Sequence, residues 1–140
     1  MASASSPPHV PVFYRDVLSA LQVTAGSLHI DGTLGAGGHA AGILDASAPD
    51  GQLLGLDRDP VALDEAGRHL GRFAGRAHLR HGSFADLGVH AAAMGWERVD
   101  GVLLDLGVSS MQLNDPGRGF SLRADGPLDM RFDPQQPTSA

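Results

Sequence analysis

Ile30-Asp31-Gly32-Thr33-Leu34-Gly35-Ala36-Gly37-Gly38-His39 is the stretch that decides the fold: an apolar run ends in an acidic residue, glycines follow, and a helical pattern begins. Gly35 and Gly37 permit positive φ and close backbone approach, so the turn can wrap a ligand while N–H groups at the start of the helix point toward it. The spacing Gly35-x-Gly37-x-x-Ala40 matches the dinucleotide-type fingerprint. Asp31 narrows the reading. A pyrophosphate brought to this turn is repelled by a carboxylate, whereas the ammonium and sulfonium of S-adenosylmethionine are attracted by it. A tight βα turn with a surface aspartate is the alternative.

Outward from this turn, four strands are expected at nearly even spacing, over residues 27–31, 52–56, 76–81 and 99–104. Helical stretches separate them at 38–46, 60–70 and 86–94, the second opened by Asp59 as N-cap with Pro60 at the first helical position. Phe13, Val17, Leu18 and Leu21 lie at helical spacing upstream and predict a covering helix. Strand and helix in alternation mean a parallel sheet with right-handed crossovers, half of a doubly wound α/β fold. Ligands of such sheets sit outside the carboxyl ends of the strands, where strand order reverses. Asp31, Asp57 and Asp105 stand at three of those ends and would repel one another unless a cationic or multi-donor ligand lay among them. Asp57 follows Gly37 by about twenty residues, the separation at which an acidic residue meets ribose hydroxyls in this architecture. Phe84 can either cover an adenine or pack in the core. Trp96 reads as packing at the end of the third helix. His9 reads as a ligand contact or as a surface or capping residue.

With 140 residues and an apolar fraction of 42%, the chain is long enough for one domain with a core of its own. The absence of cysteine excludes disulfides and thiolate metal sites. Seven histidines form no metal-ligand spacing; the closest pair, His78 and His81, falls on opposite faces of a strand, so no metal is expected. A net charge of −6 excludes a broad basic surface as the grip on nucleic acid. No apolar run reaches membrane-spanning length, and residues 1–8, expected to be disordered, lack the basic start and apolar centre of a signal peptide; a cytoplasmic protein with no membrane partner is expected. Regular patterning stops after residue 113. The segment 114–140 reads as a long loop, in which Arg118, Arg123 and Arg131 meet either phosphate or solvent, and residues 134–140 read as unstructured.

The chain resembles the MraW family, bacterial S-adenosylmethionine-dependent methyltransferases that modify N4 of a cytidine in small-subunit ribosomal RNA. The resemblance rests on His9-Val10-Pro11-Val12, the stretch from Asp31 to His39, Asp57-Arg58-Asp59-Pro60, His81-Gly82-Ser83-Phe84-Ala85, the run from Leu103 to Ser110, Gln112-Leu113, Arg118-Gly119-Phe120-Ser121 and the run from Asp125 to Arg131. It implies a Rossmann-like methyltransferase fold, present here in incomplete form. It places Gly37, Gly38 and His39 at the methionine end of S-adenosylmethionine, Asp57 at the ribose and Phe84 at the adenine. Asp105 and Gln112 complete the pocket. Leu34 and Met111 depart from the family pattern, where an aromatic residue and a proline are usual. Members run to roughly twice this length, so residues 9–113 are expected to hold the cofactor, and 114–140 to lead toward a substrate-recognition region that this chain lacks. Cofactor binding with little methyl transfer is then the expected behaviour. An NAD-dependent oxidoreductase domain and a non-catalytic ligand-binding module are the rival readings, and no catalytic residue or oligomeric state is legible.

Overall fold

A computed structural model describes residues 11–140; the expectations for residues 1–8 and for His9 lie outside the described residues. Four parallel strands, β1 (Leu28–Asp31), β2 (Gln52–Asp57), β3 (Ala77–His81) and β4 (Gly101–Leu103), form one sheet in the order β3-β2-β1-β4. The chain runs from β1 outward to β3 on one side, then returns to place β4 on the other. Strand order therefore reverses between β1 and β4. Registers are continuous, with Asp31 beside Gly55 and Leu103, and Asp57 beside His81.

The helices are α1 (Tyr14–Leu21), α2 (Gly38–Ala46), α3 (Pro60–His69), α4 (Leu87–Ala93) and α5 (Ser110–Asn114). Helix α2 is mostly apolar, with His39, Ala40, Ala41, Gly42, Ile43 and Leu44 buried and Asp45 exposed at its end. It packs with Leu34, Leu53, Ala66, Leu70 and Phe73 on one face of the sheet. On the other face Ile30, Leu54, Leu56 and Ala91 form a smaller cluster, which Trp96 flanks. Burial on both faces explains why β2 is a continuous apolar run and not an alternating one. The third predicted helix is shorter than expected, because Ser83 caps a 3-10 turn, Phe84–Asp86, through its bond from the Ala85 N–H before α4 begins.

His29, in the middle of β1, is 1% exposed; neither ring nitrogen makes a well-aligned hydrogen bond, and the Leu21 backbone and the Asp100 charge only partly offset its burial. Burial pushes its imidazole below the ordinary value. The unfolded chain thus takes up a proton that the folded chain refuses, and stability falls as pH drops below about 6.5. His29→Leu should remove that component of acid sensitivity; comparing unfolding midpoints of the two proteins at pH 5 and pH 7.5 measures it.

Residues 114–140 hold little regular structure yet are anchored. Phe120 is buried and meets Phe132 edge to face. Arg118 donates to the carbonyls of Arg131 and Phe132, Arg131 pairs with Asp129, and Arg58 holds Gln136. The reading of 134–140 as unstructured is corrected to that extent: these residues form no helix or strand, but they are tied back to the sheet. Arg118 and Arg131 are likewise spent on the fold and are not waiting for phosphate. Only Arg123 of the three keeps a side chain without a partner among the described residues. None of the helices described is long and apolar enough to cross a membrane.

Candidate functional site

A cavity of about 1000 Å³ opens at the carboxyl ends of β1, β2 and β4, at the reversal of strand order. The glycine-rich turn forms one wall, and the segment 105–112 forms the opposite one. Thr33 joins the two walls, its hydroxyl oxygen accepting the Asp105 N–H at 2.7 Å. Gly35 takes φ +53° and its Cβ position faces open space, so the backbone is bare toward the cavity.

Of the residues expected from the sequence, Gly38, His39, Asp57, Phe84, Asp105 and Gln112 line this cavity. Gly37 does not. It is the N-cap of α2 at φ +83°, and its Cβ position faces Leu70 and Ala66, so its role is to turn the chain tightly against α3. Asp31 also stays behind the surface. It is 2% exposed and accepts from the Thr33 N–H at 3.0 Å, which corrects the alternative reading of a surface aspartate. Burial raises its pKa to about 7, against the Thr33 bonds, with Asp57 and Asp105 raising it further. Asp31 thus lies close enough to Asp57 and Asp105 to feel both charges.

Asp57 is half-buried. Its oxygens accept from the Gly35 N–H at 2.8 Å and the Asp59 N–H at 2.9 Å, which fixes the carboxylate and leaves further lone pairs for hydroxyl donors. Because the Gly35 N–H is taken by a carboxylate and the Gly37 N–H by the Leu34 carbonyl, those two amides are not available to cradle a pyrophosphate. Phe84 is 40% exposed at the cavity wall and belongs to neither core cluster, so its ring is available to a flat apolar ligand.

His39 is 7% exposed, and both of its ring nitrogens are without partners. Its Nε2 lies 3.7 Å from an Asp105 oxygen, beyond hydrogen-bond reach. Burial holds the imidazole below its ordinary value, opposed by Asp105. A neutral donor and an exposed carboxylate thus stand side by side, complementary to the carboxylate and ammonium of an amino acid. Unpaired buried polar atoms are costly, and a ligand here would satisfy them.

Gln112 has its amide engaged within the protein. Its Oε1 accepts the Ser109 N–H at 3.0 Å in a capping box, and its Nε2 donates to Asp59 at 3.0 Å. Asp59 is the N-cap of α3 as expected, accepting the Val61 N–H, but its other oxygen also accepts from Arg118 Nη1 at 2.9 Å. It is 1% exposed. This buried carboxylate ties α3, α5 and the start of the terminal segment together behind the cavity wall. The sequence reading missed that role, for which Gln112 and Arg118, both far from Asp59 in the chain, gave no local sign.

A comparison with protein families matches residues 6–140 to the MraW methylase family. The chain belongs to that family. Among curated MraW relatives, "Ribosomal RNA small subunit methyltransferase H" of Syntrophotalea carbinolica is 54% identical over 125 residues, 89% of this chain and 40% of the relative. The protein of the same name from Xanthomonas euvesicatoria pv. vesicatoria is 53% identical over 138 residues, 97% of this chain and 40% of the relative. This MraW chain thus spans about two fifths of the length of the curated relatives it matches. Among solved structures, Aeropyrum pernix fibrillarin in complex with natively bound S-adenosyl-L-methionine aligns with a TM-score of 0.51 at 21% identity, over 64% of this chain and 41% of that one. The fold is therefore the Rossmann-like one of S-adenosylmethionine-dependent methyltransferases, as expected.

Proposed function

We propose that the cavity binds S-adenosylmethionine and that these residues are the cofactor-holding part of a methyltransferase acting on N4 of a cytidine in small-subunit ribosomal RNA. The observation that carries this reading is the pairing of an orphaned, buried His39 with the Asp105 carboxylate beside the glycine turn. His39 donates to the carboxylate of the methionine end, and Asp105 accepts from its ammonium. Asp57 accepts from the ribose hydroxyls, Phe84 covers the adenine, and Gly38 lets the chain approach closely. Gln112 acts from behind, holding the segment 105–112 against Asp59. When bound, the cofactor supplies a methyl group made electrophilic by its sulfonium. The chain's own part is to hold that group in one orientation and to shield it from water, since positioning lowers the barrier substantially.

The cytidine would have to leave its stack to reach a site at the end of a sheet. The open rim beside Asp105, Ser109 and Ser110 is the place for it. A charge of −6, with Arg118 and Arg131 of the terminal segment engaged within the protein, disfavours a broad phosphate-gripping surface on these residues. Membership of the MraW family and the engaged amides of the glycine turn both disfavour the NAD-dependent alternative.

Titration calorimetry with S-adenosylmethionine and S-adenosylhomocysteine tests the reading: saturable binding is expected, and no binding at millimolar ligand would refute it. Asp57→Ala should weaken binding by at least about tenfold, one charge-assisted hydrogen bond's worth. An unfolding curve on the same sample separates this from loss of fold, because Asp57 also accepts two backbone N–H groups.

A further inference from the structure

We infer that Tyr14 is a positioning residue for His39, holding its imidazole in the cavity by a stack that exists because Gly42 has no side chain. This rests on the reading of the cavity as an S-adenosylmethionine site.

The geometry is specific. The Tyr14 and His39 rings are stacked with centroids 6.2 Å apart and planes 19° from parallel. A Cβ on Gly42 would meet the Tyr14 hydroxyl oxygen first and two Tyr14 ring carbons at 2.7 Å, so the hydroxyl end of the phenol ring occupies the volume that any larger residue at 42 would fill. One turn earlier on the same helix, a Cβ on Gly38 would stand 2.5 Å from Pro11 Cγ. The two glycines make a groove on α2 that seats the chain from Pro11 to Tyr14, and Pro11 itself lines the cavity. His39 needs such a support because hydrogen bonds supply none. Its ring is more than nine-tenths buried, both nitrogens lack partners, and the titratable groups it faces are Asp105, 3.7 Å away after β4, and Tyr14 from α1. A ring held by packing alone keeps both nitrogens available to a ligand. The stack also keeps water from that face, in line with the lowered basicity of His39.

The test uses the whole chain, with two readouts: the His39 titration followed by NMR without ligand, and S-adenosylhomocysteine affinity by calorimetry. Tyr14→Phe keeps the ring and should match the parent protein in both. Tyr14→Leu should raise the His39 midpoint toward an ordinary histidine value and weaken binding about fivefold, the scale of one aromatic pair. Gly42→Ala removes no core atom and favours the helix, yet it should displace the Tyr14 ring and reproduce both effects; it carries the test if Tyr14→Leu does not fold. The double variant should be no worse than either single one, since both remove the same stack. Unchanged values in Tyr14→Leu, additive losses in the double variant, or a Tyr14→Phe that behaves like Tyr14→Leu would each overturn the inference. If the parent chain binds no S-adenosylhomocysteine, the proposed function fails, and the inference is judged on the His39 titration alone.

Discussion

Arg118→Ala is expected to lower the free energy of unfolding by about 3 kcal/mol, the scale of a buried ion pair broken from one side. Asp59 is 1% exposed and the Arg118 side chain 14%, so removing the guanidinium leaves a carboxylate with little access to water. The bonds from Val61 and Gln112 remain and keep the cost at the low end of that range. The same guanidinium also donates to the carbonyls of Arg131 and Phe132, which lose a donor together. Arg118→Lys should recover part of the loss, because an ammonium keeps the charge but lacks the planar fork whose two Nη groups reach Asp59 and the two carbonyls at once. Urea unfolding at pH 7 measures both variants. A loss under 1 kcal/mol in Arg118→Ala would mean that the pair behaves as an exposed one. Ligand affinity should fall with stability, because Gln112 fixes the cavity wall through the same carboxylate.

Asp31 should make the protein less stable as pH rises from about 4 to about 7. Its pKa is raised from 3.8 to about 7 by burial in the folded chain, so across that interval the folded state holds a proton that the unfolded state has released. Stability therefore declines with pH through the window, the full loss is present above pH 7, and its size is on the order of 4 kcal/mol. His29, His39 and His78 are shifted downward and act in the opposite sense below their ordinary values. The parent profile alone is therefore a sum of opposing slopes. Asp31→Asn isolates the carboxylate: the asparagine oxygen can still accept from Thr33, and the difference between the two profiles should grow from pH 4 to pH 7 in favour of the variant. Parallel profiles would show that Asp31 ionises normally. A cation entering the cavity should expel the Asp31 proton, so calorimetric heats near pH 6.5 should depend on the ionisation enthalpy of the buffer.

The elements most legible in the sequence were those whose signals are local. Apolar runs closed by Asp31 and Asp57 marked β1 and β2 to within a residue, and the Asp59-Pro60 start of α3 was readable because capping acts over three residues. Strand β4 proved shorter than its apolar run, since an edge strand pairs only where β1 runs beside it. What escaped was long-range. The second oxygen of Asp59 finds partners more than fifty residues away, and no spacing rule points there. Gly37 and Gly35 look alike in sequence, yet one turns toward α3 and the other toward the cavity, a difference decided by packing. Phe84 could not be assigned until its exposure was seen. The terminal segment has no periodicity to read, because its order comes from individual arginine contacts and one aromatic pair.

The bond from the Asp105 N–H to Thr33 bridges chain positions separated by 72 residues and closes the crevice between β1 and β4. The glycine-turn wall is held by β2 and α3, but the wall that carries Asp105 stands opposite it only once β4 has docked beside β1. A chain with only its first three strands paired has the glycine turn and Asp57 in place but lacks the half of the crevice contributed by residues 105–112. Occupancy of the crevice therefore reports completed folding, and a ligand bound there selects the finished structure, adding its own binding free energy to what holds the two halves together.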